Sequence, residues 1–137
     1  MQQEFLNHIN KNLPFIRDKK LLIAISGGID SVVLTHLLSA LNFNISLAHC
    51  NFNLRGIESN KDENFLISLG EKLNVKTFTT KFNTEEFAKK NKQSTQIAAR
   101  NLRYNWFKEL TNKYEFDFVL TAHHADDNLE TFLINLT

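Results

Sequence analysis

The segment Ser26-Gly27-Gly28-Ile29-Asp30-Ser31 combines residue types suited to holding a phosphorylated ligand. Adjacent glycines let a backbone take positive φ and approach a ligand with no Cβ in the way. A helix beginning there aims free N–H groups and a partial positive charge at an anion. Ser26 and Ser31 add hydroxyl donors. Asp30 is the discriminating member, because a carboxylate beside phosphates repels them unless a cation such as Mg²⁺ lies between. The segment is neither a Walker A loop, which needs Gly-Lys-Ser/Thr, nor a GxGxxG dinucleotide fingerprint. A plain strand-to-helix turn with Asp30 as N-cap is the alternative.

Further groups with chemical potential lie downstream. Asp127 and Glu130 are three apart and share a face if that stretch is a helix. Paired carboxylates suit an ammonium group and can steer its proton; acids in a first helical turn also complement the helix dipole. His123, His124 and Asp126 lie just before them. Arg100 and Arg103, also three apart, carry guanidinium forks that suit phosphate oxygens, although exposed arginine is the norm. His49 follows a short apolar run, where a hydrogen-bonded structural role is the alternative. Three of the five histidines, His49, His123 and His124, have no cysteine set beside them, which argues against zinc.

These residues need elements to position them. Phe5, Ile9, Leu13 and Ile16 recur at helical spacing, with Pro14 ending the helix. Leu21–Ile25 reads as a buried strand stopped by Ser-Gly-Gly. Val33, Leu34, Leu37, Leu38 and Leu41 mark a helix from Asp30. A strand over 45–49, a helix over 58–73, a strand over 75–82 and a short helix over 84–91 follow. A longer helix over 94–113 turns Ile97, Leu102, Trp106, Phe107 and Leu110 inward. A strand over 116–121 and a final helix over 125–136 complete the pattern. Phe65, Phe107, Phe116 and Phe118 are expected in the core. Alternating strands and helices imply an α/β fold, a parallel sheet with helices on both faces. Ligands bind such sheets beyond the carboxyl ends of the strands, where strand order reverses. The loops after the first, second and fourth strands are therefore the candidates.

The chain has 137 residues, 42% hydrophobic and 23% charged, which is the size and balance of one globular domain. Its single cysteine, Cys50, excludes an internal disulfide or a CxxC motif. No apolar run is long enough to span a bilayer, and the polar start does not resemble a signal peptide, so a cytoplasmic protein is expected. A net charge of +1 gives no basic field of the kind that marks an obvious DNA or RNA binder.

SGGIDS closing a first strand resembles the PP-loop of the ATP pyrophosphatases. With His49-Cys50-Asn51-Phe52-Asn53-Leu54-Arg55, Ser94 to Tyr104 and Thr121-Ala122-His123-His124-Ala125-Asp126-Asp127-Asn128-Leu129-Glu130-Thr131, the pattern is similar to the N-terminal domain of the tRNA(Ile)-lysidine synthetase family. That resemblance implies a Rossmann-like adenine nucleotide alpha hydrolase, or PP-loop ATPase, fold. It implies that ATP adenylates the wobble cytidine of tRNA(Ile) and that free L-lysine then displaces AMP. It places pyrophosphate in Ser26, Gly27, Gly28, Ile29, Asp30 and Ser31, adenine beside Ala24 and His49, phosphate near Arg100, and Mg²⁺ near Asp30. His123, Asp126, Asp127 and Glu130 are assigned to lysine, with Asp30, Asp127 and Glu130 as the catalytic set. Many family members carry a second histidine in the stretch that here reads Asn51-Phe52-Asn53. Residues 1–137 are expected to be an incomplete catalytic domain lacking C-terminal tRNA-binding domains, weakly active by itself, with no membrane or DNA partner. A tRNA thiolase, an amide-forming synthetase and a non-catalytic adenine-nucleotide module are the alternatives.

Overall fold

The computed structural model describes residues 2–26, 29–54, 57–125 and 128–134. Helix α1 (Gln2–Asn12) stops before Pro14, which opens a 3-10 turn over Pro14–Ile16. The chain then runs β1 (Lys20–Ala24), α2 (Ile29–Ala40), β2 (Asn44–Asn51), α3 (Ile57–Leu73), β3 (Thr77–Lys81), α4 (Thr84–Lys90), α5 (Thr95–Tyr114), β4 (Phe118–Ala125) and β5 (Asn128–Ile134).

The strands form one five-stranded sheet in the order β3-β2-β1-β4-β5. β1 pairs parallel with both β2 and β4, and β2 pairs parallel with β3. The side-chain alternation of β1 divides the core. Leu21, Ile23 and Ile25 pack with Phe5, Ile9, Leu34, Leu38, Leu66 and Leu120 on one face, under α1, α2 and α3. Leu22 packs with Ala48, Phe107, Leu110, Phe116 and Val119 on the other, under α5. A strand buried on both faces reads as an unbroken apolar run, which is what Leu21–Ile25 shows.

Local chemistry sets the helix ends. The Ser94 hydroxyl accepts the Ile97 N–H at 3.2 Å and starts α5, and Glu115 in the left-handed region (φ 58°) ends it. Asn83 Oδ1 accepts the Glu86 N–H at 3.3 Å while Asn83 Nδ2 donates to Glu86 Oε2 at 2.9 Å, a reciprocal cap on α4. Gly70 lets α3 pass tightly over β3: a Cβ there would lie 1.9 Å from Thr77 Oγ1.

Three expectations need correction. Of the stretch expected to be a helix over 125–136, residues 128–134 form a strand instead; β5 pairs antiparallel with β4, Val119 opposite Ile134 through Ala125 opposite Asn128. Thr131, Phe132 and Ile134 are good strand formers, and pairing satisfies the backbone edge of β4. Phe65 is 54% exposed on α3 and Ile97 is 53% exposed in the first turn of α5, so neither belongs to the core. Phe107 and Phe116 are buried as expected, and Phe118 packs its ring 5.4 Å from Phe15.

Candidate functional site

The chain lays down β1, β2 and β3 in one direction and then returns to place β4 on the other side of β1. The order therefore reverses between β1 and β4, which opens a crevice beyond their carboxyl ends. A cleft of about 490 Å³ lies there. Ala24, Ile25, Ser26 and Ser31 form its base, and Thr121 and Ala122 its β4 side. β2 and its loop contribute Ala48 to Phe52 and Leu54; α3 contributes Asp62, and α5 contributes Arg103, Tyr104 and Phe107.

Ser26, just after β1, is tied to Ser31 in the first turn of α2. Ser26 N–H donates to Ser31 Oγ at 3.3 Å, and the Thr35 hydroxyl donates to the Ser31 carbonyl at 2.8 Å. Ser31 is thereby buried against the first turn of α2 while Ser26 stays exposed. His49 is buried, and its Nδ1 lies 2.9 Å from the Ile25 carbonyl oxygen. A carbonyl only accepts, so Nδ1 carries the proton and a neutral ring keeps Nε2 as an acceptor.

The opposite wall carries positive charge. Arg100 and Arg103 both lie over the Tyr104 ring, with Cζ at 5.4 and 5.7 Å from its centroid. Both arginines are exposed, and only Arg103 lines the cleft. Burial pushes the Cys50 thiol up to about 12, and the Arg103 guanidinium pulls the other way. Arg103 thus acts electrostatically on the inner wall.

The expected site residues fall into three groups. Ala24, Ser26, Ser31 and His49 line the cleft together. Asp30 sits half-buried in the first turn of α2, and Ile29 is 77% exposed beside it. Gly27, Gly28, Arg55, Asp126 and Asp127 lie outside the described residues. Glu130, expected on a helical face, is on β5, paired with His123 on β4. Tyr104, Phe52, Asn51 and Asp62 were not singled out from sequence. Tyr104 has a signal, since it lies four residues after Arg100; Asn51 and Phe52 lie in the stretch that carries the family resemblance, and Asp62 on α3 has none.

Asp30 also bears on a metal. Mg²⁺ prefers hard oxygen donors and is typically held by one or two protein carboxylates together with substrate phosphates. A half-buried carboxylate on the helix turn beside Ser31 fits that donor set. Among the described residues no three His, Cys, Asp or Glu side chains converge to hold a metal by themselves.

Comparison with known proteins agrees with this geometry. The solved NMN synthetase of Francisella tularensis superposes with a TM-score of 0.65 at 19% identity, over 86% of this chain and 51% of that one. An NH3-dependent NAD synthetase from Campylobacter jejuni gives 0.59 at 18%, over 86% and 53%; at such identities the likeness shows the fold. In sequence, the chain is 43% identical over 136 residues to the tRNA(Ile)-lysidine synthase of Bacteroides thetaiotaomicron, covering 99% of this chain and 32% of the relative. It is 36% identical to the protein of the same name from Chlorobaculum tepidum, covering 98% and 42%. The chain therefore spans about a third of the length of the curated relatives it matches. The model of the PP-loop domain matches residues 1–137, and the chain belongs to the PP-loop domain family.

Proposed function

We propose that residues 1–137 are the nucleotide-binding catalytic part of a cytoplasmic ATP-dependent ligase that joins L-lysine to the wobble cytidine of tRNA(Ile). The observation that carries this is the cleft at the strand-order reversal, with Ser26 and Ser31 at its base and Arg103 on its wall. The names of the relatives supply the substrate class.

The turn over Ser26–Ser31 and the N-terminus of α2 hold the β- and γ-phosphates. His49 and the end of β2 border the nucleoside side, next to Ala24. Asp30 would hold a Mg²⁺ ion brought in with ATP, and that ion would supply charge neutralisation for the pyrophosphate. The cytosine O2 attacks the α-phosphorus, the bond to the β-phosphate oxygen breaks, and AMP is left on the base. The lysine ε-ammonium gives a proton to one of the paired acids, and the resulting amine attacks C2; the C–N bond forms, the C2–O bond breaks, and AMP departs with that oxygen. Arg103 stabilises charge that develops on the phosphates. Arg100, outside the cleft lining, acts through the Tyr104 ring that it covers. His123, Asp126, Asp127 and Glu130 are assigned to lysine, with the two acids Asp127 and Glu130 accepting its ammonium.

The test is ATP–pyrophosphate exchange by the complete protein with tRNA(Ile), comparing wild type with Asp30→Ala. The wild type exchanges label and the variant loses exchange by roughly a hundredfold or more, with a cooperative melting transition retained because Asp30 is not a core residue. Exchange supported by another acceptor and not by tRNA(Ile) would reject the assignment of substrate.

A further inference from the structure

The rim of the cleft at the end of β2 is fastened by one side chain. Asn51 is 1% exposed, and its amide is used at both ends. Its Oδ1 accepts the Asn53 N–H at 2.9 Å, and its Nδ2 donates to Asn60 Oδ1 on α3 at 2.9 Å. The first bond is a local Asx turn of the kind that holds a residue in the left-handed region, and Asn53 has φ 56°. The second ties that turn to a helix. Asn51 also accepts the Phe82 N–H through its backbone carbonyl, at 2.9 Å.

Phe52, the residue between the two halves of this clasp, is placed by its neighbours. Its carbonyl accepts the Thr84 hydroxyl at 2.9 Å, and its ring stacks on Phe82 at 6.0 Å and 25°. Phe52 and Leu54 are the apolar lining that the loop gives to the cleft.

We propose that Asn51 is the positioning residue of the nucleotide cleft: its two amide hydrogen bonds fix the Asn51–Leu54 loop so that Phe52 and Leu54 stand as the wall against which the nucleotide packs. This rests on the cleft being the ATP site. The clasp costs nothing at the moment of binding because the loop is already ordered, and a loop free to move must be ordered by the ligand at the expense of affinity.

The experiment compares Asn51→Ala, Asn60→Asp, Asn51→Asp and the double variant Asn51→Asp/Asn60→Asp in the complete protein. MgATP affinity is read by calorimetry, and protection of the Asn53 amide by hydrogen exchange. Asn51→Ala should keep a cooperative melting transition, lose Asn53 protection and bind MgATP about tenfold more weakly, since the ligand must then order the loop side chains it packs against. Asn60→Asp keeps an acceptor for Asn51 Nδ2 and should match wild type on both readouts. Asn51→Asp should lose less than Asn51→Ala, because Asn60 can turn its own NH₂ toward a carboxylate. The double variant sets two carboxylates face to face and should behave like Asn51→Ala.

Unchanged affinity in Asn51→Ala overturns the proposal. So does a double variant equal to wild type. Loss of cooperative melting in Asn51→Ala overturns it too, since Asn51 would then hold the fold and not the rim. Wild type failing to bind MgATP, with Asn53 protection still following the variants, rejects the ATP reading and leaves the clasp itself standing as a local device.

Discussion

His49 Nδ1 lies 2.9 Å from the carbonyl oxygen of Ile25, so the end of β2 is fastened to the loop that leaves β1. The bond continues the β1–β2 ladder past its last backbone link, Ile25 N–H to the Ala48 carbonyl at 3.0 Å. One residue after Ile25 comes Ser26, whose N–H is held by Ser31. The position of the turn is therefore set from β2 as well as from α2. His49→Ala removes a buried partner of a backbone carbonyl and should cost about 1–3 kcal/mol of stability, seen as a fall in the midpoint of chemical unfolding. His49→Ala with an unchanged midpoint would show that the bond does not fasten the turn.

Arg100 and Arg103 stack on one tyrosine, yet only Arg103 lines the cleft. The two variants Arg100→Ala and Arg103→Ala should therefore separate. Loss of an oriented guanidinium facing a phosphate is worth roughly a hundredfold in turnover, and Arg103→Ala should show it in pyrophosphate exchange. Arg100→Ala should lose less than tenfold, as expected from a group that acts by holding the Tyr104 ring. Equal losses, or a larger loss at Arg100, would return Arg100 to the phosphate contact that the family resemblance implies.

Much of this arrangement is legible in the sequence because it follows from periodicity. The apolar run Leu21–Ile25, the helix after Asp30 and the Ser94 cap each have a local cause, and they place the Ser26–Ser31 turn at the mouth of a parallel sheet. Less legible are choices that depend on partners distant in the chain. Leu129, Phe132 and Leu133 fit a helical stripe, but the same stretch holds Thr131 and Ile134, and the open edge of β4 decides for a strand. Phe65 reads as core by type, yet α3 meets the sheet through Leu66 and Leu69, leaving Phe65 exposed. Arg100 and Arg103 are equivalent by spacing from one another, and only the roll of α5 against the sheet, set by Phe107 and Leu110, selects Arg103 for the cleft. The Asn51 clasp depends on Asn60, nine residues away across a loop, and no periodic signal announces it.

Cys50 gives a last test, of burial in the cleft wall. Its thiol is pushed up to about 12 chiefly by desolvation, with Arg103 opposing. The thiol is thus neutral at physiological pH, and alkylation by iodoacetamide, which needs the thiolate, should be slow in the folded protein and fast in denaturant. The sign of the linkage follows from the raised value. Below 9.0, the ordinary value of the thiol, both folded and unfolded states hold the proton, and the group adds no pH dependence. Between 9.0 and about 12 the unfolded chain loses the proton while the folded one keeps it, so stability falls as pH rises through this window. Cys50→Ala removes that component. The difference in unfolding free energy between wild type and Cys50→Ala should be flat up to about pH 9 and should then shift in favour of the variant as pH rises. A difference that stays flat to pH 11, or rapid alkylation of the native protein at pH 8, would place the thiol in water and remove Cys50 from the buried wall of the cleft.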